Sequence, residues 1–241
     1  MRTGRRVGVL RYGAPMGLSI AMRAIPRDRR VLISEVYLSI QGESTHVGKP
    51  CVFVRLNRCP LRCTWCDSEF TFQGGEPADI EDVAQQAHAF GVHTVELTGG
   101  EPLIWPAAIP LMQRLLDLGH EVLLETSGAL PIEAVPEAVH VIMDLKAPDS
   151  GEERRNRWAN LEHLRPHHEV KVVIASRRDF DWAVEQVRDR GITDRCEVLF
   201  SPAWGHVTPL ELTEWVLASG LQIRMQVQLH KVVWDPDARG V

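Results

Sequence analysis

The sequence predicts an α/β fold, an open or partial (β/α) barrel of about six parallel strands. Apolar runs of strand length alternate with helix-like segments, and four of those segments stop at a glycine. Such alternation favours parallel strands joined by right-handed crossovers, and about six strands fall short of the eight in a complete barrel. A doubly wound flat sheet is the main alternative. In both architectures, functional groups are expected just after the carboxyl ends of the strands.

The predicted elements follow one another from residue 52 onwards. Strands are predicted at 52–56, 94–97, 121–124, 139–143, 170–174, 197–200 and 223–229, the last from a period of two. Helices are predicted at 79–90, 110–118, 180–190 and 208–219, each followed by a glycine, as helix ends often are. Residues 31–241 are expected to form a single domain.

The composition is that of an ordinary folded protein. The 241 residues are 44% hydrophobic and 24% charged, and no apolar stretch reaches the roughly 18 to 20 residues that span a bilayer. Residues 1–30 hold eight Arg and one acidic residue, which leaves a formal charge of −12 on residues 31–241. An acidic body argues against a broad nucleic-acid-binding face. Residues 1–30 are interpreted as a basic, flexible extension, the alternative being a targeting segment.

The chain has five cysteines, an odd number, and residues 1–30 are not expected to be a secretory signal. A disulfide framework is therefore not expected, and the pattern predicts reduced thiols in a cytoplasmic protein. Cys51 and Cys196 each lie alone in an apolar run. We expect both to be small buried side chains of the core.

The other three cysteines, Cys59, Cys63 and Cys66, form a C-x3-C-x2-C motif directly after the first predicted strand. So short a loop can place three thiolates around one metal centre. On a four-iron cluster, which usually takes four cysteines, three thiolates leave one iron open to an outside ligand. The alternatives are a Cys3His zinc site completed by His46 or His93, and three unliganded cysteines.

The motif resembles the hallmark of the radical S-adenosylmethionine (SAM) superfamily, including the aromatic Trp65 before the last cysteine. The resemblance implies a partial barrel of the radical SAM type and a 4Fe-4S cluster on the three cysteines. It also implies that the open iron is chelated by the amino and carboxylate groups of SAM. Reduction of the cluster then cleaves SAM to methionine and a 5′-deoxyadenosyl radical, which takes a hydrogen atom from a C–H bond.

A second motif, Thr98-Gly-Gly-Glu-Pro, follows the second predicted strand. Glycine lets a backbone approach a ligand closely, and Glu101 offers a carboxylate to an ammonium group. Such a turn is common, but its position resembles the GGEP motif with which the superfamily binds the SAM amino group. The resemblance implies SAM contacts from residues that follow several strands: Trp65, Asp67, Gly99, Gly100, Glu101, Thr126, Ser127, Asp144, Lys146 and Ser201.

Both ends of the chain resemble one family of the superfamily, the 7-carboxy-7-deazaguanine synthases. The resemblance rests on the segment from Glu35 to Glu43, on Asp67-Ser68 after the cysteines, and on a C-terminal segment from Gln228 to Val241. It covers residue 31 to the C-terminus. It implies conversion of 6-carboxy-5,6,7,8-tetrahydropterin to 7-carboxy-7-deazaguanine with loss of ammonia, in the biosynthesis of queuosine and other 7-deazapurines. It further implies regenerated SAM, a Mg²⁺ requirement, a homodimer, and an electron donor such as a flavodoxin or ferredoxin.

The family pattern also implies roles for individual residues. Arg55 offers a two-pronged cation for a carboxylate, Glu43 can accept from ring N–H groups, and His230 can bond to the pterin or relay a proton. The implied substrate contacts are Ile40, Gln41, Gly42, Glu43, Arg55, Thr98 and His230. Ser68 stands where the family usually has the threonine that binds Mg²⁺. Two further departures are Ser44, where glycine is usual, and Ser127, where asparagine is usual.

Two other functions compete with this one. An activase that installs a glycyl radical on a partner protein would share the cysteine loop and the GGEP motif, but not the segments at the two ends. A zinc-stabilised binding module would not be an enzyme. Protein purified without oxygen would be brown if it held an iron–sulfur cluster and colourless if it held zinc.

Overall fold

The computed structural model describes residues 25–241. The strands are β1 (Arg30–Ile40), β2 (Pro50–Leu56), β3 (Glu76–Asp79), β4 (Thr94–Gly99), β5 (Glu121–Thr126), β6 (His140–Leu145), β7 (Glu169–Ile174), β8 (Glu197–Pro202) and β9 (Arg224–Met225). The helices are α1 (Ile80–His88), α2 (Ala108–Asp117), α3 (Arg177–Asp189), α4 (Pro209–Ser219) and α5 (Leu229–Val233), with several short 3-10 turns between them. The predicted basic extension falls mainly on residues 1–24, which lie outside the described residues.

The nine strands form one sheet in the order β3-β1-β2-β4-β5-β6-β7-β8-β9. From β2 to β9 the neighbours are parallel, whereas β1 pairs antiparallel with β2 and β3. Six long parallel strands in an open sheet confirm the predicted partial barrel. The parallel strands follow chain order without reversal, so right-handed crossovers place the connecting helices on one face of the sheet.

The two faces of the sheet differ in chemistry because side chains alternate along a strand. In β4, Val95 and Leu97 belong to the apolar core, which also holds Leu111 and Met112 of α2. Glu96 and Thr98 point to the opposite, inner face. Cys51 and Cys196 are 0% and 7% exposed, which confirms that both are buried side chains.

Three of the five helices in the described residues begin at a polar side chain that caps them. The Asp79 side chain accepts the Glu81 N–H at the start of α1, and Ser176 accepts the Asp179 N–H at the start of α3. Thr208 and Glu211 form a reciprocal capping box at α4. Within the described residues, none of these helices has the length and apolar character needed to cross a bilayer.

Two features of the sheet were not predicted correctly. The antiparallel strands β1 and β3 were missed, because the segment that includes β1 was interpreted only as the front of a binding site. The strand predicted at 223–229 is limited to Arg224–Met225, and Leu229 already begins α5. Gln226 and Gln228 instead bond to side chains of the candidate site, which explains why the period of two does not produce a longer strand.

Candidate active site

The cysteine loop leaves the carboxyl end of β2 and is held on both sides. The Glu101 N–H donates to the Arg58 carbonyl (2.9 Å), which ties the loop to the turn after β4, and the Thr64 N–H donates to the Ser150 carbonyl (3.1 Å). Cys59, Cys63 and Cys66 are free thiols of intermediate exposure. Burial raises the pKa of all three thiols, that of Cys59 to about 11. Without a metal these groups are therefore protonated at neutral pH.

The turn after β4 packs against the base of this loop through its two glycines. A Cβ on Gly99 would lie 2.0 Å from the Leu56 carbonyl oxygen, and one on Gly100 would lie 2.2 Å from the Arg58 carbonyl oxygen. Gly99 also has a φ of 147°, which side chains of L residues rarely allow. The glycines thus permit a close approach between two loops of the protein itself.

Glu101 is a buried residue whose carboxylate links the end of β4 to the end of β5. Its side chain is 0% exposed, and its carboxylate accepts from the Leu103 N–H (2.9 Å), the Thr126 hydroxyl (2.9 Å) and the Ser127 N–H (2.7 Å) and hydroxyl. Burial raises the pKa of Glu101. In this arrangement the carboxylate joins the ends of β4 and β5.

Lys146 brings a positive charge to the cysteines. It follows β6, and its Nζ lies 3.0 Å from Asp144 Oδ2. Its charge acts to lower the pKa of each of the three thiols. Burial opposes its ionisation, but Asp144 and Cys63 outweigh burial and raise the pKa of Lys146, so the side chain is protonated. A fixed cation beside three thiols favours their ionised, metal-binding form.

A second cation, Lys171 of β7, lies at the centre of the inner face. Its Nζ is 2.8 Å from Glu43 Oε2, 3.9 Å from Asp144 Oδ1, and also pairs with Glu125. Burial opposes its charge, yet these three carboxylates raise the pKa of Lys171. Burial likewise opposes ionisation of Glu125, but Lys171 lowers the pKa of that carboxyl to about 2. The four side chains, Lys171, Glu43, Glu125 and Asp144, are called the inner charge cluster below.

Glu96 borders the inner charge cluster. Burial and the neighbouring Glu125 raise the pKa of Glu96 well above its usual range, which favours its neutral form. The Gln41 side-chain amide donates to it. Thr98 donates to Glu125 (2.8 Å) on the same face.

Arg55 lies on the inner face of β2, where its guanidinium is partly engaged. Its Nε donates to Glu35 Oε1 (2.8 Å) and its Nη2 to the Tyr37 hydroxyl (3.0 Å). Its Nη1 makes no hydrogen bond to the residues that the structure describes. Arg55 thus pairs with a nearby acid, and one donor face of its guanidinium stays available.

The β1–β2 loop and the C-terminal segment meet over this face. The Leu229 N–H donates to the Gly42 carbonyl (2.9 Å), and Gln228 Nε2 donates to Glu43 Oε1 (2.9 Å). A Cβ on Gly42 would lie 2.1 Å from His230 Nδ1, so glycine is needed for the ring to sit there. Burial lowers the pKa of His230, which favours a neutral imidazole. The predicted contact segment Gln41–Glu43 is thus brought together with His230, which is far away in sequence.

Two more predicted residues connect the C-terminal segment to the cysteine loop. Asp67 Oδ2 accepts from Lys231 Nζ (3.0 Å), and Asp67 Oδ1 accepts from the Ser68 hydroxyl (2.9 Å). Ser201 lies elsewhere on the inner face, where its buried hydroxyl accepts from Gln226 Nε2 (2.9 Å). Trp65 is half-buried and packs edge-on against His206, with ring centroids 6.3 Å apart.

The backbone explains one of the departures from the family pattern. Ser44 has a φ of 65°, in the left-handed region that glycine adopts without strain. Its N–H donates to Gln226 Oε1 (2.8 Å), and its hydroxyl accepts from the His46 N–H (3.0 Å). Glycine would suit this conformation, and the hydroxyl gives serine a compensating hydrogen bond.

The predicted zinc alternative does not fit the geometry. His46 bonds to Glu121, the first residue of β5, and His93 immediately precedes β4. Both histidines therefore lie at the amino ends of the parallel strands, whereas the cysteines follow the carboxyl end of β2. Six residues of strand separate the two edges by about 20 Å. Neither histidine can complete a site on the cysteine loop.

Sequence reasoning missed two members of the site, Glu96 and Lys171, and noted Glu125 only as part of the segment that follows the third predicted strand. A signal was present, because Glu96 and Lys171 are charged residues inside apolar strand-like runs. In a barrel, alternate residues of every strand face the interior. Ionisable residues at these alternate positions indicate a polar cavity and not a packed apolar lumen.

The site fits a cluster held by three protein ligands. One loop supplies three reduced thiols with a cation beside them, and the two candidate histidines lie at the far edge. Next to the thiols, the inner charge cluster offers carboxylates and ammonium groups to a polar organic molecule. The arrangement can hold a reactive metal cofactor at the rim and a substrate with many hydrogen-bonding groups below it.

Comparison with known proteins gives a consistent result. The family model described as the Radical SAM superfamily matches residues 53–202. A 7-carboxy-7-deazaguanine synthase of Koribacter versatilis (strain Ellin345) is 42% identical over 224 residues, covering 87% of this chain and 99% of the relative. A protein of the same name from Chlorobaculum tepidum is 43% identical over 212 residues, with coverage of 87% and 96%.

Solved structures show a similar fold. The crystal structure of QueE from Escherichia coli has a TM-score of 0.69 at 24% identity and covers 83% of this chain and 95% of that chain. Streptococcus suis SuiB bound to S-adenosylmethionine has a TM-score of 0.52 at 14% identity, with coverage of 70% and 48%. From the family match and the sequence identity to its relatives, the chain belongs to the radical SAM superfamily and, within it, to the 7-carboxy-7-deazaguanine synthases.

Proposed function

We propose that this enzyme converts 6-carboxy-5,6,7,8-tetrahydropterin to 7-carboxy-7-deazaguanine with loss of ammonia. The observation that carries the proposal is the position of the inner charge cluster directly below the edge that bears the three thiols. The name shared by relatives 42% and 43% identical to this chain supports the same reaction.

Cys59, Cys63 and Cys66 would hold the 4Fe-4S cluster, and Lys146 would offset the charge of their thiolates. When bound, the cluster and SAM supply a 5′-deoxyadenosyl radical that removes a hydrogen atom from the substrate. Because the Glu101 carboxylate is buried and fully bonded, the turn at Gly99–Glu101 would bind the SAM ammonium through backbone carbonyls. Thr126 and Ser127 support that turn through Glu101, and Asp144 holds Lys146 in place.

The substrate would be positioned by charge on one side and by hydrogen bonds on the other. Arg55 Nη1 is a donor for the pterin carboxylate. Glu43 is an acceptor for the ring N–H groups, and Lys171 and Gln228 fix its carboxylate in one orientation. His230, which burial keeps neutral, can both accept and donate a hydrogen bond. Ile40, Gln41, Gly42 and Thr98 complete the lining.

Mg²⁺ would bind at Ser68, together with the carboxylate of the substrate. The Ser68 hydroxyl and Asp67 Oδ1 lie 2.9 Å apart, and Mg²⁺ prefers such oxygen ligands while keeping several waters. We further propose a cytoplasmic homodimer that receives electrons from a flavodoxin or ferredoxin. Resemblance to the family supports these assignments.

The test is product analysis. The protein is reconstituted with iron and sulfide without oxygen, then incubated with SAM, dithionite, Mg²⁺ and the carboxypterin. Mass spectrometry should find 7-carboxy-7-deazaguanine and more than one turnover per SAM, whereas Cys63→Ala should form none. Unchanged pterin together with accumulating 5′-deoxyadenosine would contradict the proposal and favour another substrate, such as the partner of a glycyl-radical activase.

A further inference from the structure

Two histidines and a glutamate converge at the amino ends of the parallel strands, at the edge opposite the cysteines. His140 begins β6, Glu169 begins β7, and His46 lies in the β1–β2 loop. Among the described residues, these three form a group whose potential metal-ligand atoms all lie within 4.8 Å of one another. The rings of His46 and His140 meet edge to face, with centroids 4.7 Å apart.

Glu169 is unusually placed for a carboxylate. Its side chain is 1% exposed, and its Oε1 accepts from His140 Nε2 (2.8 Å), from the Thr45 N–H (2.9 Å) and from the Thr45 hydroxyl. Its Oε2 is buried and has no hydrogen-bond partner in the described part of the chain. A buried oxygen without a partner is costly, so its presence calls for an explanation such as an ion.

A second carboxylate borders the same group. Glu121 Oε1 lies 2.9 Å from His46 Nε2, and Glu121 Oε2 accepts from the Thr94 hydroxyl (2.9 Å). Its side chain is 35% exposed. The group therefore has a route to solvent on the side of Glu121 and a closed side at Glu169.

We propose that His46, His140 and Glu169 bind a divalent first-row transition-metal ion, with Zn²⁺ as the reference ion. Two imidazoles and one carboxylate form a donor set that suits zinc and related ions, whereas Mg²⁺ and Ca²⁺ prefer oxygen ligands. The ion takes the place of the proton between His140 Nε2 and Glu169. The imidazole binds the ion as a neutral ring with its proton on Nδ1, and Glu169 Oε2 gains a partner. Glu121 or a water completes the coordination.

Such an ion would fix the β1–β2 loop to the starts of β6 and β7. The same loop carries Glu43, which pairs with Lys171 in the inner charge cluster. The ion is thus a structural one, distinct from the cluster on the cysteine loop and from the Mg²⁺ proposed at Ser68. The inference stands independently of the substrate assigned above.

The direct test is X-ray absorption at the zinc edge on the full-length, cluster-loaded protein, equilibrated with Zn²⁺ without oxygen and then desalted. We expect about one zinc per chain with nitrogen and oxygen ligands at about 2.0–2.2 Å, whereas zinc misplaced in the cysteine loop would show sulfur at about 2.3 Å. Absence of retained zinc, or zinc with sulfur ligands only, would overturn the proposal.

Variants assign the retained ion to these residues. Glu169→Gln and His140→Gln should each weaken zinc retention by about 10-fold or more, because even the loss of an outer-shell partner of a ligand costs about 10- to 100-fold in metal affinity. The matched control is His88→Gln combined with His120→Gln, which removes a second imidazole pair, 3.0 Å apart, that lies outside the proposed group. Zinc retention that is unchanged in Glu169→Gln, or lost equally in the control, would overturn the assignment. If a variant does not fold, the wild-type ligand spectrum still decides.

Discussion

Lys171 is the residue through which the inner charges of this enzyme are balanced. Three carboxylates from β5, β6 and the β1–β2 loop face its ammonium group. A buried cation with several hydrogen-bonded partners is stable only while those partners stay ionised. The ammonium group of Lys171 accounts for the low pKa of Glu125.

Glu43→Gln tests the proposed substrate contact at this scale. The change keeps the size of the side chain and an acceptor for Gln228 but removes the charge, while Glu125 still pairs with Lys171. We expect the KM for the carboxypterin to rise by about 10- to 100-fold, since a hydrogen bond to a charged group contributes about 1.5–3 kcal/mol. Iron content should not change. Exposed Glu185→Gln is the control, and an unaltered KM in Glu43→Gln would exclude the contact.

His168 predicts a dependence of stability on pH. Burial lowers its pKa to about 4, and its Nδ1 accepts from the Arg165 N–H (3.2 Å). The unfolded chain, with a pKa near 6.5, binds the proton more readily, so stability present above pH 6.5 is lost as the pH falls towards 4. The loss amounts to at most about 2 kcal/mol between pH 7 and 5.

His168→Asn should remove that contribution while keeping an acceptor for the Arg165 N–H. Urea unfolding at several pH values is the measurement, and the variant should show a shallower fall in the free energy of unfolding below pH 6.5. His163→Asn, at an exposed site, should retain the wild-type slope. Equal slopes in His168→Asn and wild type would show that this residue does not titrate as described.

At the scale of elements, the site depends on loops that approach one another at glycines. Gly100→Ala would place a Cβ 2.2 Å from the Arg58 carbonyl oxygen and 2.9 Å from Cys59 Cβ. Such overpacking lowers the stability of the folded protein by about 1–3 kcal/mol. The residues that must move belong to the cysteine loop. We expect iron to be lost to a chelator about 10-fold more readily. Gly119→Ala, where a Cβ would meet nothing, should lower stability slightly and leave iron retention unchanged.

Gly42→Ala disturbs a different pair of elements. Its Cβ would lie 2.1 Å from His230 Nδ1 and would push α5 away from the β1–β2 loop. The KM for the carboxypterin should rise about 10-fold or more, because overpacking costs about 1–3 kcal/mol, while iron content stays at the wild-type level. Gly48→Ala in the same loop, with open space around its Cβ, is the control. Loss of iron in Gly42→Ala would contradict the view that the β1–β2 loop and α5 bind the substrate and do not hold the cluster.

For the whole molecule, the sequence predicted features that lie within a short segment of the chain. It did not predict contacts between residues that are far apart in sequence. Cys59 to Cys66 and Thr98 to Pro102 are short motifs placed after strands, so both the open barrel and its functional edge followed from the chain alone. The inner charge cluster combines residues from separate strands, and no local pattern shows that Glu43 reaches Lys171. The burial of Glu101 was missed for the same reason, since its partners Thr126 and Ser127 follow another strand.

The wrong predictions also arise because contacts between distant parts of the chain cannot be seen in a local sequence pattern. His46 was considered as a zinc ligand beside the cysteines because sequence distance does not tell one edge of a parallel sheet from the other. β1 was missed because its antiparallel pairing with β2, with no helix between the two strands, breaks the strand–helix alternation on which the prediction depended. The residues at 223–229 alternate like a strand, but Gln226 and Gln228 alternate because they face the site.

Electron paramagnetic resonance of the dithionite-reduced, reconstituted enzyme, with and without SAM, tests the central claim most directly. Three thiolates at the carboxyl edge of β2 should give the signal of a reduced 4Fe-4S cluster, and the open iron should make that signal change when SAM is added. Cys63→Ala should lack the signal. An iron-free protein, or a cluster whose spectrum is indifferent to SAM, would contradict the account.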